Sequence, residues 1–283
     1  MRFAYAPPLL EQHLMPIPFV KMQGCGNDFV VLDARARSLP VDPVRAAAIA
    51  DRHRGVGCDQ LIIIDPGPSI RIFNPDGSAA EACGNATRCV AHLLTGGAPG
   101  SVEIDSPGGL LAATVLPDGR VQVDMGRPRL RWDEVPLSHE ADTLHIPLAL
   151  GAITDPAGCS MGNPHATFFV PDVAAIDIPA IGSALEHDPL FPARANIGFA
   201  QVLGADRIRL RVWERGAGLT LACGSGACAA LVNAHRRGLT GCSATMLLDG
   251  GELTIDWRDD GHVVMTGPVA VSFTGELPNG AFI

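Results

Sequence analysis

Two stretches of this chain, far apart in order, carry the same series of residue types, and that repeat restricts the fold more than any other feature. The first runs Arg71-Ile-Phe-Asn-Pro-Asp-Gly-Ser-Ala-Ala-Glu-Ala-Cys-Gly-Asn85. The second runs Arg211-Val-Trp-Glu-Arg-Gly-Ala-Gly-Leu-Thr-Leu-Ala-Cys-Gly-Ser225. Both 223 minus 83 and 211 minus 71 give 140, so the blocks align without a gap. Each reads basic, β-branched, aromatic, polar, a glycine-bearing turn, then Ala-Cys-Gly and a small polar residue. Upstream of each stands a Gly-Asn pair, Gly26-Asn27 and Gly162-Asn163, followed by an amphipathic helix candidate at 42–53 and 178–186. An ordered series of this kind points to a duplicated α/β unit.

Local patterning fills in the unit. Short β-branched runs bounded by Gly, Pro or Asp predict strands at 29–33, 60–65, 70–73, 102–106, 109–116 and 120–125, with Pro117-Asp118-Gly119 as a hairpin turn. The second half predicts strands at 166–170, 199–203, 208–213, 245–248, 252–257 and 263–266. A helix follows each Cys-Gly pair, at 86–94 and 227–235, and both are apolar on nearly all sides, so both should be buried. A strongly curved, mostly antiparallel sheet wrapped around each helix satisfies that demand. The fold class is therefore α/β (α+β) with two pseudo-symmetric halves, and Gly126-Arg127-Pro128 marks the passage between them. Residues up to Pro18, with four prolines, Glu11 and His13, read as a poorly structured extension lacking the apolar core of a signal peptide.

Composition narrows the function. Hydrophobic residues make up 47% and charged residues 18% of 283 positions, as in a well-cored globular protein. A formal net charge of −9 argues against nucleic acid or an anionic membrane as partner, and no apolar run is long enough to span a bilayer. Eight cysteines without an export signal point to a reducing cytoplasm. Lys21 is the only lysine, so a pyridoxal Schiff base would have to rest on it alone, which disfavours that cofactor.

Each repeated cysteine opens a buried helix. The first N–H groups of a helix lack internal partners and its dipole favours negative charge there. Gly84 and Gly224 leave room for a ligand beside those amides, and Asn85 and Ser225 add short polar side chains. Two such sites face to face would grip one carboxylate and put a thiol on each side of the adjacent carbon. That suits inversion at an amino-acid α-carbon: one thiolate takes the proton, and the opposite thiol returns another. The helix ends should lower the thiol pKa moderately, and a closed, dry pocket should restore basicity. A four-thiol zinc site from Cys83, Cys89, Cys223 and Cys228 fits common zinc spacings poorly, and Cys-x-x-Cys is absent.

The strings Gly-Cys-Gly-Asn-Asp-Phe (24–29), Phe-Asn-Pro-Asp-Gly-Ser (73–78), Ala-Cys-Gly-Asn (82–85), Met-Gly-Asn-Pro-His (161–165), Arg-Ala-Asn-Ile-Gly (194–198), Glu-Arg-Gly-Ala-Gly (214–218) and Ala-Cys-Gly-Ser-Gly-Ala-Cys (222–228) resemble the diaminopimelate epimerase family. The resemblance runs from about Phe19 to near the C-terminus. It implies conversion of LL- to meso-diaminopimelate without pyridoxal or metal, in a cleft between two similar domains that close on the substrate. The expected organisation is an extension at 1–16, one half at 17–130 with 268–283 packing back on it, and the other half at 131–267. A homodimer is compatible with this picture.

By position, the resemblance makes Cys83 and Cys223 the acid–base pair. Asn27, Gln60, Asn74, Asn163, Asn196 and Arg215 match positions that hold the substrate's amino and carboxylate groups. Gly84-Asn85 and Gly224-Ser225 match the donors to the reacting carboxylate, and His165 and Glu214 match residues that assist the cysteines or bind the reacting amino group. Arg215 suits bidentate binding of the distal carboxylate. Cys25, Pro75, Thr87 and Leu219 depart from the family's usual residues. Two competing readings remain: a two-cysteine racemase of the proline or hydroxyproline type, and a non-catalytic amino-acid binding protein of the same fold. Arg215, Asn163 and Asn196 speak against the first, and the presence of both thiols against the second.

Overall fold

A computed structural model describes residues 16–80 and 83–278 of the chain. The first unit comprises β1 (Ile17–Gly24), β2 (Asn27–Asp33), α1 (Pro43–Ala50), β3 (Gln60–Asp65), β4 (Ser69–Phe73), α2 (Gly84–Leu94), β5 (Gly100–Ser106), β6 (Gly109–Val115) and β7 (Val121–Asp124). After a small hairpin of β8 (Ala149–Leu150) and β9 (Ile153–Thr154), the second unit opens with β10 (Ala157–Ser160), β11 (Pro164–Phe169), α3 (Ile178–Glu186) and β12 (Asn196–Gly204). It continues through β13 (Arg207–Glu214), β14 (Gly218–Thr220), α4 (Gly224–Arg236), β15 (Ser243–Leu248), β16 (Gly251–Trp257) and β17 (Val263–Gly267), and β18 (Ala270–Leu277) ends the described chain.

The repeat in sequence is a repeat in pairing. β1–β2 and β10–β11 are antiparallel, β2–β3 and β11–β12 parallel, β3–β4 and β12–β13 antiparallel, and β4–β5 and β13–β15 parallel. Antiparallel meanders β5–β6–β7 and β15–β16–β17 complete the two units. Antiparallel pairing of β17 with β7 then joins them, so among the described residues one sheet runs unbroken through both halves at the Gly126-Arg127-Pro128 passage. β18 returns to pair with β1, Ile17 opposite Leu277. Residues 17 and 18 therefore belong to a strand, a correction to the reading of everything before Phe19 as extension; residues 1–15 and 279–283 lie outside the described residues.

Period-two alternation explains the layers. On β3, Leu61 and Ile63 join Val30, Leu32, Ala46 and Ile49 in a core under α1, while Ile62 and Ile64 join Val31, Cys89 and Val90 around α2. The second half repeats the plan. Ile208, Leu210 and Val212 pack with Ala227, Cys228 and Leu231 of α4, and Ile197 and Phe199 pack with Ile178 and Leu185 of α3. Burying each such aliphatic side chain stabilises the fold by roughly 1.5–3 kcal/mol. Helices α2 and α4 are thus enclosed, because the sheet curls around each and leaves their first turns facing the join.

Differences from the expected elements have local causes. The helix expected over 42–53 stops at Ala50, because the chain turns at Asp51, whose carboxylate accepts from the amides of His53 and Arg54. β10, with its Ala-Gly-Cys-Ser sequence, and the exposed edge strand β18 lack a clean alternation that would mark them in sequence. The halves also touch through a second contact. The β1–β2 turn, in which Cys25 holds a left-handed φ of 54°, lies on Gly250 of the opposite half, where a Cβ would stand 1.9 Å from the Cys25 carbonyl oxygen.

That contact has a measurable consequence. Gly250→Ala should lower unfolding stability by about 3 kcal/mol, the upper range for overpacking against backbone. Gly241→Ala, whose added carbon meets nothing within 4 Å, should change it by less than about 0.5 kcal/mol. Urea unfolding midpoints compare the two; equal midpoints would contradict the packing described.

Candidate active site

Cys83 and Cys223 are the N-cap residues of α2 and α4. Both are extended (φ −148°, ψ 104° and φ −116°, ψ 107°), and each sulfur accepts from the third following amide, Ala86 N–H at 3.5 Å and Gly226 N–H at 3.3 Å. The peripheral helices α1 and α3 use Asp42 and Asp177 for the same task. Oxygen acceptors are the preferred caps and a thiol is a weak one. A weak cap at both central helices is a choice that helix stability does not explain.

The two helix ends meet. A Cβ on Gly84 would stand 2.7 Å from Met265 Cε and 2.9 Å from Met125 Sδ, and one on Gly224 would stand 3.0 Å from Met265 Sδ and 3.1 Å from Asn85 Oδ1. Only glycine allows that approach. Asn85 spans the join: its Nδ2 donates to Asn27 Oδ1 at 3.0 Å and to the Ala222 carbonyl at 3.4 Å. The same Asn27 oxygen accepts from Cys83 Sγ at 3.8 Å. The Glu214 carboxylate, at the end of β13, stands near enough to Cys223 to raise its thiol, and its charge acts on Cys83 as well. One buried carboxylate therefore influences both sulfurs.

Electrostatics differ from the expectation of moderately acidified thiols. Burial pushes Cys83 up to about 11, with the Glu214 charge adding to it and the Ala86 and Asn85 amides and Arg88 opposing it. Cys223 lies well above the ordinary thiol range, first through burial and then through Glu214. Desolvation outweighs the helix ends, and both resting thiols are protonated at neutral pH. Glu214 is itself raised by burial, against a hydrogen bond from Thr220 Oγ1 (2.5 Å).

The remaining singled-out residues form two sets. In the C-terminal half a connected net leads outward from Cys223: its sulfur lies 3.7 Å from Ser225 Oγ, which is 3.1 Å from His165 Nε2. His165 Nε2 also sits 2.9 Å from Asn163 Oδ1 and 3.5 Å from Asn196 Nδ2, and Asn196 Oδ1 accepts from the Arg215 amide at 2.9 Å. The Arg215 guanidinium donates to the Ala193 carbonyl and borders an open cavity of about 530 Å³ shared with Arg129, Asp133 and Glu134. In the N-terminal half, Asn27 is held by Asp59 Oδ2 at 2.9 Å, and Asp59 by Arg52 at 2.6 Å. Gln60 donates to Asn74 at 3.3 Å as a separate pair, and Gln60 Oε1 is buried with no partner among the described residues. Of the unusual residues, Thr87 bonds back to the Cys83 carbonyl at 3.0 Å, and Leu219 packs beside Trp213. Sequence reasoning missed Asp59, Met265 and Thr220. Asp59 directly precedes Gln60 and was within reach, whereas Met265 sits in an ordinary apolar strand and gave no signal.

The sequence model described as diaminopimelate epimerase matches residues 19–131 and 158–272. The chain belongs to the diaminopimelate epimerase family. It is 62% identical over 265 residues to the diaminopimelate epimerase of Acidiphilium cryptum, covering 92% of this chain and 96% of that one. It is 56% identical over 266 residues to that of Rhodospirillum centenum, covering 92% and 91%. Among solved structures, a phenazine biosynthesis protein of the PhzF family from Enterococcus faecalis superposes with a TM-score of 0.70 at 18% identity, over 93% of this chain and 99% of that one. A hydroxyproline epimerase from Agrobacterium vitis superposes with a TM-score of 0.67 at 16% identity, over 93% and 91%. These two share the overall α/β fold of this chain.

His165 gives the site a direct spectroscopic test. Burial, reinforced by the Arg215 charge, lowers its pKa to about 3. An unfolded histidine titrates near 6.5, so this group's contribution to stability is intact above that pH and is lost progressively as pH falls toward 3. NMR of ¹⁵N-histidine-labelled protein should find His165 neutral from pH 8 down to 5. A His165 midpoint inside that interval would contradict the burial assigned to it.

Proposed function

We propose that the protein epimerises LL-diaminopimelate to meso-diaminopimelate, with Cys83 and Cys223 acting as base and acid on opposite faces of one α-carbon. The observation that carries this reading is the meeting of two thiol-capped helix ends at one join, under one carboxylate. Family membership at up to 62% identity supports the substrate.

In this mechanism the substrate α-carboxylate lies between the first amides of α2 and α4, with Gly84-Asn85 and Gly224-Ser225 as donors. One thiol ionises; Glu214, which acts on both sulfurs, takes that proton, and the substrate ammonium lowers the cost of the thiolate beside it. The thiolate removes the α-proton, and the C–H electron pair moves into the carboxylate as an enediolate. A well-aimed donor to such an oxyanion is worth about 3–4 kcal/mol. The opposite thiol then gives its proton to the other face, and the configuration inverts without change of oxidation state. Because burial holds both thiols high, each sulfur is a strong base once ionised. That offsets the small thiolate fraction.

The distal end of the substrate carries a second ammonium and carboxylate. Arg215, with Asn163, Asn196 and Asn74, supplies the guanidinium and amides for them, with Asn27 and Gln60 completing the wall. His165, held neutral, orients Asn163 and Ser225. Proline-type substrates have no distal carboxylate, so the Arg215 set favours diaminopimelate over them. Eight free cysteines support a cytoplasmic setting; no helix among the described residues is long and apolar enough to cross a membrane.

Incubation with LL-diaminopimelate in heavy water should yield meso product carrying deuterium at the inverted carbon, whereas L-proline and 4-hydroxy-L-proline should not exchange. Cys83→Ser and Cys223→Ser should each lose at least about a hundredfold in kcat. Serine caps helices well, so the unfolding midpoints of both variants should be unchanged or higher. Full turnover by either variant, or binding of LL-diaminopimelate without exchange by the unaltered protein, would refute the two-thiol reading.

A further inference from the structure

Helix α2 carries a charge that the chemistry above does not use. Arg88 lies one turn after Asn85 and is the largest fully buried side chain described. Its Nη1 donates to Asn85 Oδ1 at 2.9 Å and lies 3.4 Å from Met265 Sδ. Nε and Nη2 have no hydrogen-bond partner among the described residues. The guanidinium fills the space over two glycines at the join. A Cβ on Gly24 would stand 2.8 Å from Nη2, and one on Gly267 would stand 3.3 Å from Nε and Cζ.

A buried guanidinium is a poor way to fill a core. Its desolvation costs several kcal/mol, and an apolar side chain of similar volume is often as stable or more so. Burial lowers the Arg88 pKa from its ordinary value, yet arginine remains protonated in proteins. The ionisable groups bearing on it are thiols: Cys25 from the β1–β2 turn, Cys89 and Cys83 from α2, and Cys228 from α4. Cys83 in turn feels two opposed charges, Glu214 at the end of β13 raising it and Arg88 lowering it.

The hydrogen bond to Asn85 Oδ1 has a directional consequence. An amide held by its oxygen must present its Nδ2 the other way, toward Asn27 Oδ1 and the Ala222 carbonyl, both of which are acceptors. Without Arg88 the amide oxygen loses its donor, and only the two bonds from Nδ2 still hold the side chain across the join. The guanidinium therefore tightens a link that is otherwise pinned from one end, the 3.4 Å contact to Ala222 being its weakest part.

We propose that Arg88 is a positioning residue for the two-thiol reaction: it holds the Asn85 amide across the join and puts a permanent positive charge at the end of the hydrogen-bonded chain that runs through Asn85 and Asn27 to the Cys83 sulfur. This rests on the reading of Cys83 as one of the two bases. It assigns the buried guanidinium two separable duties, one geometric and one electrostatic. Lysine in its place would keep the charge but not the planar fork that holds Oδ1. Methionine would keep neither.

The test uses full-length Arg88→Met and Arg88→Lys, with circular dichroism as the check of folding. Two readouts separate the duties: carbamidomethylation of Cys83 by iodoacetamide, followed by peptide mass spectrometry from pH 7 to 10, and kcat and KM on LL-diaminopimelate. In Arg88→Met, alkylation of Cys83 at pH 7.5 should be about tenfold slower than in the unaltered protein. Its kcat should fall at least about tenfold with KM changed less than about threefold. Arg88→Lys should recover the alkylation rate but not kcat, and it decides the matter alone if Arg88→Met does not fold. Either folded variant matching the unaltered protein in both readouts would overturn the inference. If the unaltered protein fails to exchange LL-diaminopimelate, the functional reading falls, while the dependence of Cys83 alkylation on Arg88 still decides this one.

Discussion

The amide of Asn85 reaches the carbonyl of Ala222, 137 positions away along the chain, and the geometry of the site depends on that crossing. Through it the first turn of α2 is tied to the residue just before Cys223, while the same amide holds the Asn27 oxygen next to Cys83. Met265 packs against Gly84 and Gly224 on the side that a Cβ would occupy. Two helices that would otherwise each be a separate anion pocket thereby share one site. The large continuous sheet serves this contact, since β7–β17 pairing sets the halves side by side and the β1–β2 turn locks onto Gly250.

Burying this join has an electrostatic price, and its size decides the chemistry. Helix N-termini favour anions, yet desolvation wins at both sulfurs, with Cys83 near 11 and Cys223 well above the ordinary thiol range. The same balance keeps His165 neutral beside Arg215 and raises Glu214. The resting site thus sets protonated thiols beside a neutral imidazole and a hydrogen-bonded carboxylate. The charges needed for proton transfer then arrive with a zwitterionic substrate, where they act at low dielectric and full strength.

Much of this was legible in the sequence, for reasons that differ by residue. The repeat around Cys83 and Cys223 exposed the duplicated unit because both halves must solve the same problem, a buried helix entered from a glycine turn. The β-branched runs of β3 and β13 showed their strands because their two faces are covered by different helices. β10 and β18 were hidden, one built of small residues and the other exposed on an edge. Asn196, Asn163 and His165 came from motif order, but their mutual bonding is a tertiary fact that spacing does not encode. Arg88 was passed over because an arginine in a helix normally faces water; nothing local says that the sheet will close over it. The thiol pKa values were misjudged for the same reason: the helix end is visible in sequence, and the depth of burial is not.

The central claim is that two sulfurs distant in sequence come together, and their own covalent chemistry tests it. Mild oxidation with diamide followed by non-reducing peptide mapping should yield a disulfide between the Cys83 and Cys223 peptides, reversed by dithiothreitol. A disulfide requires the two Cα atoms within about 7 Å, so the crosslink forms only if the helix ends approach as described. Oxidised protein in which Cys83 and Cys223 stay free, or pair with other cysteines, would contradict the account.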